Sequence, residues 1–353
     1  MVPEYSDWER AKRPPRRFWQ RAAKFGLLGI GVPAEFGGLE GSNFRHSAIV
    51  TEEAQAAGLA LGGLRIHTDI CMPYFLEYAN RRQQARWLPR LTGGDAVVAL
   101  AISEPGAGSD IKGMNTRARR EGEDYLVSGA KTFISNGLEA DLIILAVKTD
   151  PEAGRSGLSL VVVEAPCSGF ARGRAFDKIG QHAQDLAELF FDDVRVPIAN
   201  RLGDEGRGFE YLTANLAQER LSIAINSQAA AAATLAVTVE AMRAGRGEPA
   251  PGQHVKFELA ACAAELSAGQ ALVDTALAAN AGGELAAADA AAVKLYCTEL
   301  QGRVADRCLQ LHGPDGYGAE TRIGRAFADA RVSRIYGGSS EIMKVIVAKE
   351  LGL

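Results

Sequence analysis

The spacing of hydrophobic and polar positions changes twice along the chain, and this predicts three regions of different structure. In residues 1–95, apolar side chains recur every three or four residues in short segments such as 45–58 and 81–91, which predicts short helices joined by turns. Residues 96–203 contain short β-branched runs such as AVVALAIS, DLIILAVK and GLSLVVVEA, bounded by residues that favour turns. Because no ten-residue helical pattern separates these runs, they predict a mainly antiparallel sheet in a compact barrel or sandwich.

Residues 204–353 return to helical periodicity in a sequence rich in Ala and Leu. Breaks at 245–252, 281–283 and 313–318 divide this region into lengths that fit four long antiparallel helices. We therefore predict an α+β multidomain fold. It has an N-terminal helical domain (1–95), a central antiparallel β-barrel or sandwich (96–203) and a C-terminal four-helix bundle (204–353).

Composition and charge narrow the possible functions. The net charge of −4 argues against nucleic acid as the main partner. The five cysteines are scattered without CxxC or His–Cys spacing, which predicts buried thiols in a reducing compartment and no metal site. The uncharged run 221–239 is long enough to cross a bilayer, but its polar residues and alanines favour a buried bundle helix. The polar N-terminus has no signal-peptide core, so we expect a cytoplasmic protein without a membrane partner.

Two segments of the predicted β domain could bind a ligand. ALAISEPGAGSDIKG (99–113) places a loop of small residues after a strand, so that its backbone N–H groups could approach a flat or anionic group. An ordinary glycine-rich turn would give the same pattern. KTFISNG (131–137) places Phe133 and Ser135 on one face of a strand, as any half-buried strand would.

A third candidate lies in the C-terminal region. The segment QLHGPDGYG (310–318) ends a helix, and ARVSRIYGGSSEIMKVIV (330–347) pauses at Gly337 and Gly338 before a helix restarts. The restarting helix would be capped by a serine and would offer free N–H groups to a phosphate or carbonyl oxygen. A plain joint between two helices fits the pattern equally well.

The segment LAQERLSIA (216–224) places Glu219 and Arg220 next to the long uncharged run. Helical spacing puts Glu219 on a stripe with apolar flanks and Arg220 on another side. A carboxylate in apolar surroundings has a raised pKa, as a general base working near neutral pH needs. An exposed glutamate in the first turn of a helix, favoured by the helix dipole, would have the same sequence pattern.

The chain resembles the acyl-CoA dehydrogenases over nearly its whole length, through ISEPGAGSD, KTFISNG, DKIGQHAQDLAELFFDDVRVP, AQERL, QLHG and ARVSRIYGGSSEIMKVIVAKELG in that order. The resemblance implies the three-domain fold and the FAD-dependent oxidation of a saturated acyl thioester, carried by CoA or an acyl carrier protein, to a trans-2-enoyl thioester. Most of the family carries its base in a motif similar to IY-E-G-T, where this chain has Gly337. A branch similar to the long-chain and isovaleryl enzymes carries it before an arginine on a bundle helix, at the position of Glu219. The resemblance therefore implies that Glu219 removes the pro-R α-hydrogen while a hydride passes to flavin N5.

Further roles follow from the same resemblance. The backbone of Ile102 and Ser103 is expected to hydrogen-bond the flavin, Ser135 to approach N5 and Phe133 to flank the ring. The Gly337 N–H, with a flavin hydroxyl, is expected to polarise the thioester carbonyl. The other expected cofactor contacts are Arg220, Arg246, Gln253, Gln310, Gly313, Ser339 and Glu341, and the other expected substrate contacts are Ser109, Leu216, Tyr336 and Gly338.

The resemblance also implies an enzyme of fatty acid metabolism that passes electrons to an electron-transfer flavoprotein and forms a homodimer or homotetramer. The chain departs from the family where a Phe-Gly element is missing after the helix of Glu219, and where Pro314 and Asp315 follow Gly313. Proline lacks an N–H donor, and the aspartate adds a negative charge near the expected pyrophosphate site. These departures predict weaker or altered FAD binding. They leave open a flavin-free thioester-binding protein, while the fold also leaves open a reduced-flavin monooxygenase.

Overall fold

The computed structural model describes residues 2–244 and 252–353, and its first part is helical. The N-terminal helices are α1 (Tyr5–Ala11), α2 (Arg16–Lys24), α3 (Phe44–Ala56), α4 (Gly62–Arg65), α5 (Met72–Tyr78) and α6 (Arg81–Thr92), with a π-helical turn (Ile66–Cys71) between α4 and α5 and short 3-10 turns at Val2–Glu4, Leu27–Gly29 and Ala34–Phe36. Asn80 caps α6 reciprocally. Its side chain accepts from the Gln83 N–H at 3.0 Å, and the Gln83 side chain accepts from the Asn80 N–H at 2.8 Å.

The central region is one eight-stranded sheet. Its strands are β1 (Val98–Ala101), β2 (Arg117–Glu121), β3 (Asp124–Ser135), β4 (Leu142–Lys148), β5 (Leu158–Glu164), β6 (Phe170–Ala175), β7 (Leu186–Pro197) and β8 (Arg201–Leu202), with 3-10 turns at Ile111–Gly113, Gly154–Gly157 and Ile198–Asn200. The strand order is β6-β7-β3-β2-β4-β5-β8, and β1 lies beside β4. Five of the six pairings in this order (β6-β7, β7-β3, β3-β2, β4-β5 and β5-β8) are antiparallel. The β2-β4 pairing, a single residue pair, and the β1-β4 pairing are parallel. The predicted, mainly antiparallel arrangement is confirmed.

Strand β4 contributes to two hydrophobic cores. Leu142 and Ile144 pack with aromatic side chains of the N-terminal helices. Ile143 and Leu145 pack instead with Val127 of β3 and other residues of the sheet itself. Neighbouring residues of a strand point to opposite faces, so a strand buried on both faces becomes a continuous apolar run, which is what DLIILAVK contains. The sheet therefore folds over its own core on one face and is covered by helices on the other.

The described residues of the C-terminal region, 204–244 and 252–353, form three long helices and two short ones. They are α7 (Gly208–Arg243), α8 (Gln253–Ala281), α9 (Ala287–His312), α10 (Arg322–Ala330) and α11 (Ser340–Glu350), with 3-10 turns at Gly313–Gly316 and Arg331–Arg334. The predicted fourth long helix is thus divided between α10 and α11. Gly337 and Gly338, with φ of 62° and 91°, interrupt the helical path, because that backbone region is left-handed.

Helix α7 carries the uncharged run that the sequence analysis assigned to a buried helix. By length and composition α7 could cross a membrane, but 56% of its most apolar window is buried inside the protein. Leu221, Ala224 and Ile225 pack against Ala48 of α3 and Val273 of α8. The apolar character of α7 is accounted for by these contacts within the helical bundle.

The five cysteines are all free. Cys71, Cys262, Cys297 and Cys308 are buried, as the sequence predicted, whereas Cys167 is only partly buried.

A buried ion pair joins the two candidate segments of the β domain. Lys131 is fully buried, and its Nζ donates to Glu104 Oε1 at 2.8 Å and to the Ile102 carbonyl at 2.9 Å. Glu104 also accepts the backbone N–H groups of Asn115 and Thr116, at 2.6 and 2.9 Å. Burial opposes the ionisation of Glu104, but the bonds from Lys131 and Thr116 outweigh it and hold the pKa of Glu104 below its ordinary value. This pair fixes the loop that follows β1 against β3.

Loss of the Lys131 charge is expected to destabilise the protein. In Lys131→Met the Glu104 carboxylate stays buried without its cation, and breaking such a pair typically costs about 3–5 kcal/mol. The thermal unfolding midpoint, followed by circular dichroism, should fall clearly. Arg195→Met, which removes one side of the exposed pair with Glu121 in the same domain, is the control and should change the midpoint little. Equal midpoints for Lys131→Met and the unaltered protein would contradict a stabilising role for the pair.

Candidate active site

Glu219 lies well inside helix α7. The helix begins at Gly208, so Glu219 is about three turns from its N-terminus. The interpretation of Glu219 as an exposed first-turn residue stabilised by the helix dipole is therefore wrong, because that effect fades within the first turn. Glu219 is partly buried, and Arg220 is only 5% exposed. The carboxylate of Glu219 lies close enough to Cys71 and Tyr74 to raise the pKa of each, in addition to the larger effect of burial.

The environment of the Glu219 carboxylate favours its neutral form. Burial raises the pKa of Glu219, and the nearby Arg220 guanidinium and Lys294 ammonium lower it without cancelling the effect. Among the described residues, no side chain or backbone group donates a hydrogen bond to this carboxylate. A carboxylate with a raised pKa and free oxygens can accept a proton near neutral pH, as a general base must.

Gly337 lies against this carboxylate. A Cβ atom at position 337 would be 3.4 Å from Glu219 Oε1 and 2.2 Å from the Cδ1 atom of Ile223. The φ of 62° also disfavours any side chain here. The two positions at which the resemblance places a base, 219 and 337, therefore face the same space, and only one of them carries an acid.

Lys294 of α9 fixes the turn at Gly337 by bonding the backbone on both sides of it. The Lys294 Nζ donates to the carbonyl of Gly338 at 2.8 Å and to that of Ser333 at 3.1 Å. Lys294 is fully buried, and burial lowers its pKa to about 8, although Glu219 opposes that change. Among the described residues the Gly337 N–H has no acceptor, so it is free to donate to an oxygen of a ligand.

Sequence reasoning missed Lys294. The only signal is that it is a single charge in the otherwise uncharged stretch AAAVKLYC (290–297). A lone lysine on a helix is usually solvated, and nothing in the local pattern distinguishes a buried one.

The loop after β1 lies beside an exposed aromatic side chain. Ser103 accepts from the Thr132 N–H at 2.9 Å, and the Ile102 carbonyl accepts from Lys131, so the loop is fixed to β3. Phe133 of β3 is 60% exposed, and Ser135, two residues later, is partly buried. The sequence prediction assumed simple alternation along β3, which the positive φ of Phe133 and the register shift between Lys131 and Ile134 interrupt.

The backbone at Phe133 is strained. Its φ is 57°, and it lies in a region where the pairing of β3 with β7 shifts register between Lys131 and Ile134. The ring packs against Phe176 with 4.9 Å between centroids. A bulky residue in the left-handed region costs of order 1–3 kcal/mol and persists at sites where the surroundings impose it. The strained bulge keeps an apolar ring exposed next to the loop of Ile102 and Ser103.

Buried donors without partners lie beside Glu219 and Gly337. Among the described residues, Arg220 Nε and the hydroxyl of Tyr336 are buried and have no hydrogen-bond partner. Buried polar groups are nearly always bonded, and these two donors have the capacity to bond acceptor atoms of a ligand. A flavin offers ring nitrogen and carbonyl oxygen acceptors and a flat face for an aromatic neighbour. The residues present therefore fit a flavin.

Three of the other predicted cofactor contacts lie at the far end of the bundle, namely Gln253, Gln310 and Gly313. Arg307 of α9 pairs with Glu258 and Glu265 of α8, so the start of α8 and the end of α9 lie together. Gln253 and Gln310 are both exposed at this end.

This far end is distant from Glu219. His312, at the end of α9, lies 3.2 Å from the hydroxyl of Thr238, which is roughly 28 Å along α7 from Glu219. Gly313, next to His312, is therefore remote from Glu219 as well. Arg246 lies outside the described residues. The structure therefore does not bring the predicted contacts at the far end together with Glu219 within one chain.

The remaining predicted residues differ in their surroundings. Ser339 caps α11, where its hydroxyl accepts from the Ile342 N–H at 3.4 Å. Ser109 and Glu341 are exposed, whereas Leu216, Tyr336 and Gly338 are partly buried near Glu219 or Gly337 in sequence.

Comparison with known proteins matches every part of the chain. The models of the acyl-CoA dehydrogenase N-terminal, middle and C-terminal domains match residues 1–95, 99–194 and 206–352. The mitochondrial long-chain specific acyl-CoA dehydrogenase of Sus scrofa is 40% identical over 99% of this chain and 83% of its own length.

Solved structures agree with these matches. The acyl-CoA dehydrogenase of Geobacillus kaustophilus superposes with a TM-score of 0.97 at 41% identity, over 100% of this chain and 94% of that one. A glutaryl-CoA dehydrogenase of Mycobacterium smegmatis in complex with FADH2 superposes with a TM-score of 0.90 at 25% identity, over 99% of this chain and 90% of that one. Since family models, relatives and structures agree over all three domains, the chain belongs to the acyl-CoA dehydrogenase family, flavoproteins that oxidise a CH–CH bond of an acyl thioester.

Proposed function

We propose that this protein is an FAD-dependent acyl-CoA dehydrogenase in which Glu219 removes a proton from the α-carbon of a saturated acyl thioester, giving a trans-2-enoyl thioester. The observation that carries this proposal is the position of the Glu219 carboxylate. It has no donor of its own, its pKa is raised by burial, and it lies beside the free N–H of Gly337. The carboxylate of Glu219 and the N–H of Gly337, which would donate a hydrogen bond to an oxyanion, thus face the same space.

The Gly337 N–H makes the α-hydrogen acidic enough to remove. Proton abstraction from carbon places negative charge on the thioester carbonyl oxygen, and a fixed donor aimed at that oxygen stabilises the charge. Lys294 fixes the donor by bonding the carbonyl of the next residue, Gly338. The raised pKa of Glu219 matches the requirement that it hold the abstracted proton.

The residues that would hold the cofactor are the backbone of Ile102 and Ser103, the ring of Phe133, the hydroxyl of Ser135 and the guanidinium of Arg220. The chemistry that a bound flavin supplies is acceptance of the β-hydrogen as hydride. The unpartnered Nε of Arg220 argues against a flavin-free thioester-binding protein. The environment of Glu219 argues against a reduced-flavin monooxygenase, which needs no base at this position.

We expect FAD as the form of the flavin, electron-transfer flavoprotein as the electron acceptor, and a cytoplasmic homodimer or homotetramer. The separation of Gln253 and Gln310 from Glu219 supports a cofactor that is shared between subunits, since these residues could then contact a partner's FAD. Sedimentation of the purified protein tests this point, and a monomer with full flavin content would contradict it.

Glu219→Gln is expected to keep the yellow flavin and to lose turnover. Removal of a general base lowers the rate by about 100-fold or more. The measurement is bleaching of the flavin absorbance when a saturated acyl-CoA is added without oxygen. Glu240→Gln, an exposed change on the same helix, should bleach normally. Full bleaching in Glu219→Gln would refute the assignment of the base, and colourless protein that takes up no added FAD would refute the flavoenzyme.

Lys294→Met is expected to move the acid limb of the pH profile of kcat/KM to higher pH. The Lys294 ammonium lowers the pKa of Glu219, so its removal raises that pKa. Glu219 must be ionised to accept a proton, and activity is lost as the pH falls through its pKa. The variant therefore loses activity at a higher pH than the unaltered enzyme. Lys294→Arg keeps a positive charge at this position, so its acid limb should lie closer to that of the unaltered enzyme. A lower rate with an unmoved acid limb would show that Lys294 supports only the fold of the turn.

A further inference from the structure

The turn that carries the Gly337 N–H joins the 3-10 turn Arg331–Arg334 to helix α11. Gly337 and Gly338 have φ of 62° and 91°, and glycine adopts this region and others with nearly equal ease. The backbone preferences of the two glycines therefore do not fix the direction of the Gly337 N–H. That direction depends on the groups that hold the residues before and after the glycine pair.

Glu299 of α9 contacts the chain on both sides of this pair. Its Oε1 accepts a hydrogen bond at 2.7 Å from the hydroxyl of Ser340, the first residue of α11. Its Oε2 forms an ion pair with Arg334, 3.3 Å from Nε, and its backbone carbonyl accepts from Arg334 Nη2 at 3.3 Å. Arg334 precedes and Ser340 follows Gly337 at equal distance along the chain. One side chain therefore holds both ends of the loop that presents the N–H.

These contacts are sheltered from water. Ser340 is only 6% exposed, and the side chains of Glu299 and Arg334 are 33% and 25% exposed. A hydrogen bond to a charged acceptor is stronger than one between neutral groups. The carboxylate of Glu299 therefore holds the Ser340 hydroxyl more firmly than a neutral acceptor would.

Helix α9 leaves room for Arg334 at Gly302. A Cβ atom at this position would lie 1.9 Å from Arg334 Nη2. Glycine is unfavourable in a helix interior, and Gly302 lies well inside α9. Because a larger residue would displace the guanidinium, the glycine permits Arg334 to approach Glu299.

The bond from Lys294 does not fix the donor by itself. Lys294 bonds the carbonyl of Gly338 and so holds the peptide unit that follows Gly338. The donor N–H belongs to the peptide unit that joins Tyr336 to Gly337. Since the torsion angles of two glycines separate these units, the donor can still turn. Glu299 removes this freedom by holding both ends of the loop.

We propose, on the basis of the function proposed above, that Glu299 is a positioning residue that directs the Gly337 N–H at the thioester oxygen. It acts through Ser340 and Arg334. As Glu219 takes the α-proton, negative charge moves onto the thioester oxygen, and a misdirected donor stabilises that charge less. Loss of Glu299 should therefore slow the reaction more than it weakens the binding of the substrate.

The test uses a ligand whose ionisation reports on the donor. 3-oxooctanoyl-CoA loses a proton between its two carbonyl groups to give an enolate, and a donor aimed at the thioester oxygen favours that enolate. Titration of the enolate absorbance with pH, in the presence of the FAD-loaded protein, gives the ionisation constant of the bound ligand. The unaltered protein should increase this constant relative to the ligand free in solution.

Glu299→Ala is expected to decrease the ionisation constant of the bound ligand by about 10-fold, because the donor is no longer held in place. For octanoyl-CoA, kcat should fall by about 10-fold, with a smaller change in KM. Ser340→Ala, which removes only the hydroxyl that Glu299 bonds, should change both quantities in the same direction. Glu299→Gln keeps an oxygen that can accept from Ser340 but loses the charge, so its values should lie between those of Glu299→Ala and the unaltered protein.

Glu265→Ala is the matched control. Glu265 is a carboxylate of the same bundle whose side chain is 29% exposed, and it pairs with Arg303 and Arg307 of α9. Its loss removes a comparable ion pair without touching the turn at Gly337. The control should leave the ionisation constant of the bound ligand and kcat unaltered, and an equal loss in this variant would overturn the specific role of Glu299.

The outcomes separate the two proposals. An unchanged ionisation constant in Glu299→Ala would overturn the role of Glu299 and leave the dehydrogenase function intact. If that variant does not fold, unchanged constants in both Ser340→Ala and Glu299→Gln would overturn the role instead.

Failure of the dehydrogenase function has its own signature. Flavin in the unaltered protein that is bleached by none of butanoyl-CoA, octanoyl-CoA and hexadecanoyl-CoA would refute that function. The ionisation constant of bound 3-oxooctanoyl-CoA still decides the role of Glu299 in that case. An unaltered protein that does not increase this constant would show that no donor is aimed at the thioester oxygen, and the positioning role would be overturned.

Discussion

A partly buried carboxylate that accepts no hydrogen bond from any described residue sets the requirements for the rest of the site. Burial raises the pKa of Glu219, and two nearby cations, Arg220 and Lys294, limit that rise without forming a hydrogen bond with the carboxylate. The same condition explains why position 337 is a glycine, since a side chain there would fill the space in front of the carboxylate. Proton transfer at this site therefore depends on charged groups that lie close to Glu219 without forming a hydrogen bond with it.

The site also requires that elements from distant parts of the chain keep fixed positions around the space between Glu219 and Gly337. Lys131 and Glu104 join the loop after β1 to strand β3, and Lys294 joins helix α9 to the turn before α11. In both places a buried lysine bonds backbone carbonyls that neither helix nor sheet would satisfy. Because buried polar groups need defined partners, these lysines give the loops one conformation. The functional loops are thus fixed by charges, and not by apolar packing alone.

Much of the architecture follows from periodicity, and much of the site does not. The continuous apolar run of β4 and the alanine-rich helical pattern of α7 predicted that both elements are buried, because each pattern extends over many residues. Lys294 is a single charge, and its burial depends on which distant segments cover it. The division of the fourth long helix into α10 and α11 follows from positive φ angles at Gly337 and Gly338, which glycine permits but does not require. The position of Glu219 along its helix likewise depended on where α7 begins, which no capping residue marks.

The contact between Gly337 and Glu219 also has an evolutionary consequence. A glutamate introduced at 337 would bring a second carboxylate into the space of the first, and two such groups at short distance cannot both ionise. Two ionised carboxylates therefore cannot occupy this space together. A lineage could move from one to the other only through an ancestor with both acids sharing one proton, or through one with neither.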